Sequence, residues 1–299
     1  MEAFFSSPSR IPPSFSSAIE QLLVAKTTSG RRPKYVKLLG SQLRMFQNRY
    51  LGKLGLDDDP NITAITVEVV EAILALRNGT SPATRASDLG HFSSLFSYAR
   101  RKRWITENPC EFIERVMVEA KTPPILSLNE AERMLMLLGG CRCPRYRCLC
   151  AIRPWFVLCL FGGLRPSEAE RLDWSKVHWA TGRIVIDGKV AKTRHRRIVP
   201  MSETLRCWLA LDRVDQGPVV PSYMTLRRKR GYLEEAACYQ WKHDVLRHSY
   251  ASYRLAIEPN LPRIAAEMGN SPGVLMRNYV ELVMPEDAER FWALRPPPP

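Results

Sequence analysis

The chain has 299 residues, enough for about two domains with true hydrophobic cores. Its hydrophobic content of 45% excludes wholesale disorder. A formal net charge of +14 and a pI near 9.6 favour a polyanionic partner, with nucleic acid ahead of an anionic membrane surface. The excess is +4 over residues 1–120 and +10 over the rest, so the basicity is not a detachable tail.

The opening MEAFFSSPSRIPPSF has no basic stretch leading into an apolar run, so no export signal is expected. The eight cysteines are then expected as reduced thiols in a cytoplasm. From residue 14 to 115 the pattern is helical. SAIEQLLVAK, KYVKLLGSQLRMFQNRYLGKL, TVEVVEAILALRNG and SPATRASDLGHFSSLFSYARRKRW all carry apolar residues at helical spacing. Ser81 before Pro82 reads as a cap followed by a first-turn proline, and Asn108-Pro109 closes the set. Basic residues recur through it, notably Arg31, Arg32, Lys34 and the run Arg100, Arg101, Lys102, Arg103. Such runs are either solvated helix faces or a surface that grips DNA.

KTPP (121–124) marks a linker, giving a helical domain over 1–120, a linker over 121–126 and a second domain over 127–299. Ser127 and Glu130 stand in capping-box spacing at the start of the second domain. WFVLCLFGGL (155–164) is its most apolar stretch, too short and too glycine-broken to span a bilayer. GRIVID (182–187) and RRIVPM (196–201) alternate like two strands of a hairpin joined through AKTRH. The fold class is therefore mostly α, with one small antiparallel β element in an α+β second domain. The terminal PPPP is expected to be an extended tail. Cys141, Cys143, Cys148 and Cys150 form a double C-x-C. That spacing departs from the usual C-x-x-C zinc pairs and no histidine is near, so no metal is expected.

Four stretches could carry chemistry. In GLRPSE, Pro166 suits a first helical turn, which puts Arg165 at a helix N-terminus with Glu168 in the first turn. Free N–H groups beside a guanidinium make an anion site suited to phosphate. Lys192, in the hairpin connection, can swing a charge or a proton into a cleft. HDVLRHSYASY (243–253), read as one helix, has a buried stripe of Val245, Leu246, Tyr250 and Tyr253. It sets Arg247 one turn from His243, with Asp244 within reach of Arg247 and His248. Ser271-Pro272 starts a short helix bearing Tyr279. Taken singly, each has a bland reading as a surface or core residue.

GLRPSE, then K-T-x-x-x-R-I-V-P, then L-R-H-S-Y-A-S-Y, then G-N-S-P with a tyrosine nine residues past the asparagine resembles the tyrosine recombinase (phage integrase) family. The resemblance runs in detail from about 127 to 283. It implies a helical core-binding domain that clamps DNA at 1–120 and a catalytic domain at 127–299. The reaction it implies is cleavage and rejoining of duplex DNA through a 3′-phosphotyrosine, with no metal, ATP or other cofactor. Tyr279 would be the nucleophile, Arg165 and Arg247 the phosphate clamp, Lys192 the acid for the leaving oxygen, and Glu168 a structural brace. The implied partner is a specific double-stranded DNA site, bound by a homo-oligomer, a tetramer. A cytoplasmic recombinase of a bacterial or phage mobile element follows. In the same way, PEDAERFWAL (285–294) is expected to dock on a neighbouring protomer, although folding back on its own domain is the simpler alternative.

The chain departs from the family pattern at two places. Asp244 stands where histidine is common, three residues before Arg247. Asn270 stands where His or Trp is common. An aspartate beside a scissile phosphate is repulsive unless paired or protonated. Asp244 is expected to pair with His243 or His248, and Asn270 to donate one hydrogen bond. Type IB topoisomerase or resolvase activity, and a catalytically impaired DNA-binding regulator, remain as alternatives.

Overall fold

The computed structural model describes residues 11–77, 79–118, 122–139, 148–188, 196–279 and 282–297. The chain divides into two compact units, Met1–Glu119 and Ala120–Pro299.

In the first unit the helical periodicity becomes four helices: α1 (Phe15–Thr28), α2 (Pro33–Phe46), α3 (Val67–Leu76) and α4 (Pro82–Arg101). Their ends are set by local chemistry. The Ser14 and Ser81 hydroxyls accept from the N–H groups of Ser17 and Thr84, each such cap contributing about 1 kcal/mol. Gly55, at φ 75°, stops the irregular turns that follow α2. The apolar stripes of α1, α2 and α4 meet in one core, with Phe15, Ile19, Leu43, Phe46, Phe92 and Phe96 fully buried. Phe46 stacks on Phe92 with ring centroids 4.4 Å apart. One buried carboxylate, Asp88, sits in this unit against Arg77 at 2.6 Å.

The second unit opens at the expected capping box. The Ser127 N–H donates to Glu130 Oε2 at 2.8 Å and the Glu130 N–H to Ser127 Oγ at 3.3 Å. Then come α5 (Leu128–Gly139), α6 (Arg153–Gly162) and the single turn α7 (Pro166–Ala169). A three-stranded antiparallel sheet follows, in the order β1 (Val177–His178), β2 (Arg183–Ile186), β3 (Arg197–Pro200). β2 and β3 are the expected hairpin, with Ile184 opposite Val199 and Val185 opposite Ile198. β1 adds a strand that two residues are too few to announce by alternation. The chain ends in α8 (Glu203–Ala210), α9 (Tyr223–Ala236), α10 (Val245–Ile257), α11 (Leu261–Met268), α12 (Pro272–Tyr279) and α13 (Pro285–Trp292).

All ten residues of α6 are buried. That is why this helix is apolar on every side: it is the axis of the unit, packed against α8 and α10. Arg153 at its start is buried too, and Asp212 meets it with two 2.7 Å hydrogen bonds.

Two expectations are corrected, and for a third the free chain shows one of two expected arrangements. First, α10 begins at Val245, not at His243. Asp244 is its N-cap in a left-handed conformation (φ 52°), which the short polar side chain tolerates, and His243 lies outside the helix. The stripe of Val245, Leu246, Tyr250 and Tyr253 is buried as expected. Second, in the free chain α13 packs against α10 of its own unit, the simpler of the two arrangements expected; docking on a neighbour was expected with DNA bound. The Phe291 ring stacks on Tyr253 at 3.9 Å and Trp292 Nε1 donates to the Tyr253 carbonyl at 3.1 Å. A free apolar face with a matching aromatic surface within its own unit is covered locally. Third, Cys148 and Cys150 are joined as a disulfide, their Cα atoms 5.5 Å apart, where reduced thiols were expected. Cys110, Cys159, Cys207 and Cys238 are free. Cys141 and Cys143 lie outside the described residues, and no group of three metal-ligating side chains occurs among the described ones. No described helix is long and apolar enough to cross a membrane.

Candidate active site

The centre of the site is a carboxylate. Glu168, on α7, is fully buried. Arg197 meets it fork to fork, Nη1 to Oε1 at 3.1 Å and Nη2 to Oε2 at 2.6 Å. Arg165 adds two contacts, its backbone N–H to Oε2 at 3.1 Å and Nη1 to Oε1 at 2.9 Å. Burial alone would raise the Glu168 pKa. The hydrogen bonds and charge of Arg197, followed by the bonds from Arg165, outweigh it and hold the carboxyl at about 2. Glu168 therefore stays ionised and fixes both arginines.

Arg165 lies just before α7, on a chain that has turned sharply out of α6. Gly163 makes the turn at φ 62°, and a Cβ there would come within 2.4 Å of the Tyr250 ring. The Arg165 guanidinium spans to the loop after α11, donating through Nη2 to the Gly269 carbonyl at 2.6 Å and to Asn270 Oδ1 at 2.9 Å. Arg247, one turn into α10, reaches the same oxygen: Nη2 donates to Asn270 Oδ1 at 3.0 Å and to the Met268 carbonyl at 2.8 Å. Its Nη1 donates to the Gly163 carbonyl. Two cationic groups thus converge on one neutral amide oxygen. Burial, then the like charges of Arg165 and Arg197, press the Arg247 pKa down to about 10, and it remains cationic at neutral pH. Asn270 acts here as an acceptor, where donation was expected.

Tyr279, the last residue of α12, is buried. Its hydroxyl lies 2.6 Å from His248 Nδ1, on the residue after Arg247. Burial raises the phenol pKa and Asp244 adds to the rise, while the charges of Arg247 and Arg165 pull against them; the net shift is upward. His248 shifts downward, chiefly through burial, with Arg247 and His243 adding to the shift and Asp244 opposing it. Asp244 stays at the edge, 3.7 Å from His243 Nδ1, and the His243 side chain is 93% exposed. Arg165, Glu168, Arg247, Asn270, His248 and Tyr279 are therefore gathered in one cluster, and His243 is outside it. Lys192 falls outside the described residues.

Arg197 had no role in the sequence reading, although it stands inside the motif. The signal was available: strand alternation puts Arg197 on the same face as the buried Val199, and a charge on a core face needs a buried counter-charge. The other basic candidates belong to the first unit. Arg31, Arg32 and Lys34 flank the start of α2, and residues 100–103 end α4, most of them exposed. Arg100 pairs with Glu111 at 2.8 Å, and Lys102 lies over the Tyr98 ring.

Residues 125–215 match the phage integrase family. The chain is 26% identical over 240 residues to tyrosine recombinase XerC of Pseudomonas fluorescens, covering 74% of this chain and 77% of the relative. Its fold is similar to that of a lambda integrase dimer bound to a COC′ core site, with a TM-score of 0.69 at 15% identity over 91% of this chain and 98% of that one. It is also similar to the Tn1549 transposon integrase in complex with transposon right end DNA, with a TM-score of 0.67 at 16% identity over 93% and 98%. The fold class is that of the tyrosine recombinases. The chain is thus similar to tyrosine recombinases, through the phage integrase match over residues 125–215 and through the XerC relative.

Proposed function

We propose that the protein is a site-specific DNA recombinase that breaks and rejoins duplex DNA through a 3′-phosphotyrosine. The observation that carries this reading is the convergence of the Arg165 and Arg247 guanidiniums on one oxygen position, with the Tyr279 hydroxyl on the adjoining turn. Two forks of N–H donors, one buried and one half-buried, fit the non-bridging oxygens of a phosphodiester and the charge that builds on them at the transition state. The Tyr279 oxygen attacks phosphorus, the bond from phosphorus to the 5′-oxygen breaks, and the leaving oxygen takes a proton, a role the family pattern gives to Lys192. The phosphodiester energy is kept in the phosphotyrosine. A free 5′-hydroxyl therefore reseals the strand by the reverse step without ATP, and three cationic side chains take the place a metal has in other phosphoryl-transfer sites.

The substrate in this reading is a specific double-stranded site. The relatives agree with it: one solved structure is of a lambda integrase tetramer bound to a Holliday junction, and another is of XerH bound to a palindromic difH substrate. By that likeness the protein assembles as a tetramer on paired sites. The unit 1–119 clamps the duplex through Arg31, Arg32, Lys34 and residues 100–103, whose phosphate contacts make affinity steeply salt-dependent.

The test is a duplex nicked near the cleavage position, so that the released 5′ fragment diffuses away and the covalent adduct accumulates. The wild type is expected to form the adduct in excess EDTA. Tyr279→Phe is expected to form none while binding the site within about threefold of wild type, since it loses one hydroxyl and none of the basic surface. An adduct from the Phe variant would overturn the assignment of the nucleophile. Cleavage lost on chelation and restored by magnesium would overturn the metal-free mechanism.

A further inference from the structure

We infer that His248 is the general base of this site: its Nδ1 takes the phenolic proton of Tyr279 as the tyrosine attacks, and returns it when the strand is resealed. The inference rests on the reading of Tyr279 as the nucleophile and deepens it.

Three observations carry it. The first is contact. His248 Nδ1 and the Tyr279 hydroxyl are 2.6 Å apart, and this is the only hydrogen bond from a described side chain to that hydroxyl. The second is the fate of the other candidates. The family-pattern position three residues before Arg247 is Asp244, which stands at the left-handed N-cap of α10 with its carboxylate 3.7 Å from His243 Nδ1, and His243 points to solvent. Neither makes a hydrogen bond to Tyr279. The third is rigidity. His248 follows Arg247 directly on α10, its backbone N–H bonded to the Asp244 carbonyl at 2.9 Å, so the helix that holds the phosphate clamp also aims the base.

The protonation states suit the role. The groups acting on the imidazole are Asp244, His243 and Arg247 from its own helix and the turn before it, and Tyr279 from α12. Their sum with burial is a pKa below the ordinary histidine value, so the ring is neutral at pH 7 and Nδ1 is free to accept with the other proton on Nε2. Full transfer from a phenol of raised pKa is uphill in the resting site. It becomes favourable as the oxygen forms its bond to phosphorus and loses basicity, and the incoming phosphate charge raises the imidazole's affinity for the proton. This is general-base catalysis in the transition state, typically worth about 10²- to 10⁴-fold. The balance closes: the O–H bond breaks as Nδ1–H forms, the oxygen–phosphorus bond forms as the bond from phosphorus to the 5′-oxygen breaks, and resealing reverses each change.

The experiment is single-turnover adduct formation on the nicked duplex across pH 5.5–9.5 for wild type, His248→Ala and His248→Asn. The Asn side chain keeps a hydrogen-bonding group at the position without a titrating one. Far-ultraviolet circular dichroism and site binding confirm that each variant is folded. The expected wild-type rate falls on the acid side with the protonation of one group. Both variants are expected to be slowed about a hundredfold or more at pH 7, with a rate that climbs toward alkaline pH as the phenol ionises unaided. The decisive arm replaces Tyr279 by a ring-fluorinated tyrosine of lower phenol pKa. It should restore most of the rate to the His248 variants and change wild type little, because a more acidic phenol needs no base. A variant within about threefold of wild type, or a slow variant that fluorination does not rescue, would overturn the base role and leave His248 as a positioning residue only. Absence of any adduct from the wild type would instead overturn Tyr279 as the nucleophile, and the inference with it.

Discussion

Replacing Glu168 by Gln tests whether the carboxylate is the keystone of the site. The substitution keeps volume and some hydrogen bonding but removes the charge between Arg197 and Arg165. The folded carboxyl titrates at about 2 against an ordinary value of 4.5, a difference of roughly two and a half units or about 3 kcal/mol of folding stability at pH 7. An independent route gives a similar figure: removing one partner of a buried ion pair costs about 3–5 kcal/mol, because the other charge is left uncompensated. The folded pKa is depressed, so the contribution is present in full above about pH 4.5 and is lost as pH falls toward 2. Urea unfolding followed by tryptophan fluorescence reads this unit well, since six of the seven tryptophans (155, 174, 179, 208, 241 and 292) lie in it. With a urea dependence of about 2 kcal/mol per molar, the midpoint should drop by about 1.5 M at pH 7. The deficit should narrow by more than about 1 kcal/mol by pH 3.5. A pH 7 shift under about 0.5 M, or one that does not narrow in acid, would refute the account.

Two further substitutions probe the frame. Gly163→Ala forces a Cβ within 2.4 Å of a Tyr250 ring whose hydroxyl is held by Glu267 at 3.0 Å, and does so at a left-handed position. A loss of about 3 kcal/mol is expected, and a melting temperature within about 2 °C of wild type would count against it. Truncation after Met284 removes α13 and uncovers Tyr253. The second unit should lose roughly 3–5 kcal/mol of stability for Phe291 alone, together with single-site cleavage. If the truncated chain melts normally and binds single sites but fails to pair two of them, α13 belongs on a neighbouring protomer instead.

What could be read from the sequence followed from how local its cause was. The caps at Ser81 and Ser127, the proline-started turn after Arg165 and the β2–β3 alternation depend on residues within a few positions of each other, and they stand in the structure as read. The start of α10 was misread because Asp244 has an ordinary helical neighbourhood in sequence, while its backbone takes a φ of 52° that no local pattern announces. The place of α13 was left between two arrangements for a similar reason. An amphipathic face says that something must cover it, and only the tertiary position of Tyr253 decides what does. Arg165, Arg247 and Tyr279 were legible because of their order along the chain. Their shared contacts were not, since Asn270 is 105 residues from Arg165 and 23 from Arg247. His248 was read only as a possible partner of Asp244, and nothing in its sequence context shows that its Nδ1 meets the tyrosine.

The polar cluster around Glu168 carries a trade-off of its own. Three guanidiniums, those of Arg165, Arg197 and Arg247, lie about the buried Glu168 carboxylate, so among these described groups positive charge is in excess. The downward pull of Arg165 and Arg197 on Arg247 is a direct sign of that repulsion. Asn270 softens it with a dipole but adds no charge. The unliganded fold is thus held below the stability its packing alone would give, and the missing negative charge is what a phosphodiester brings. Folding and DNA binding are linked through this one imbalance: the anion should raise the unfolding temperature of the unit, most steeply at low salt. A variant that loses the Arg165 charge would relieve the repulsion on Arg247 but also strip the buried Glu168 of a hydrogen-bonded partner, so its stability in the free state reads the balance of the two.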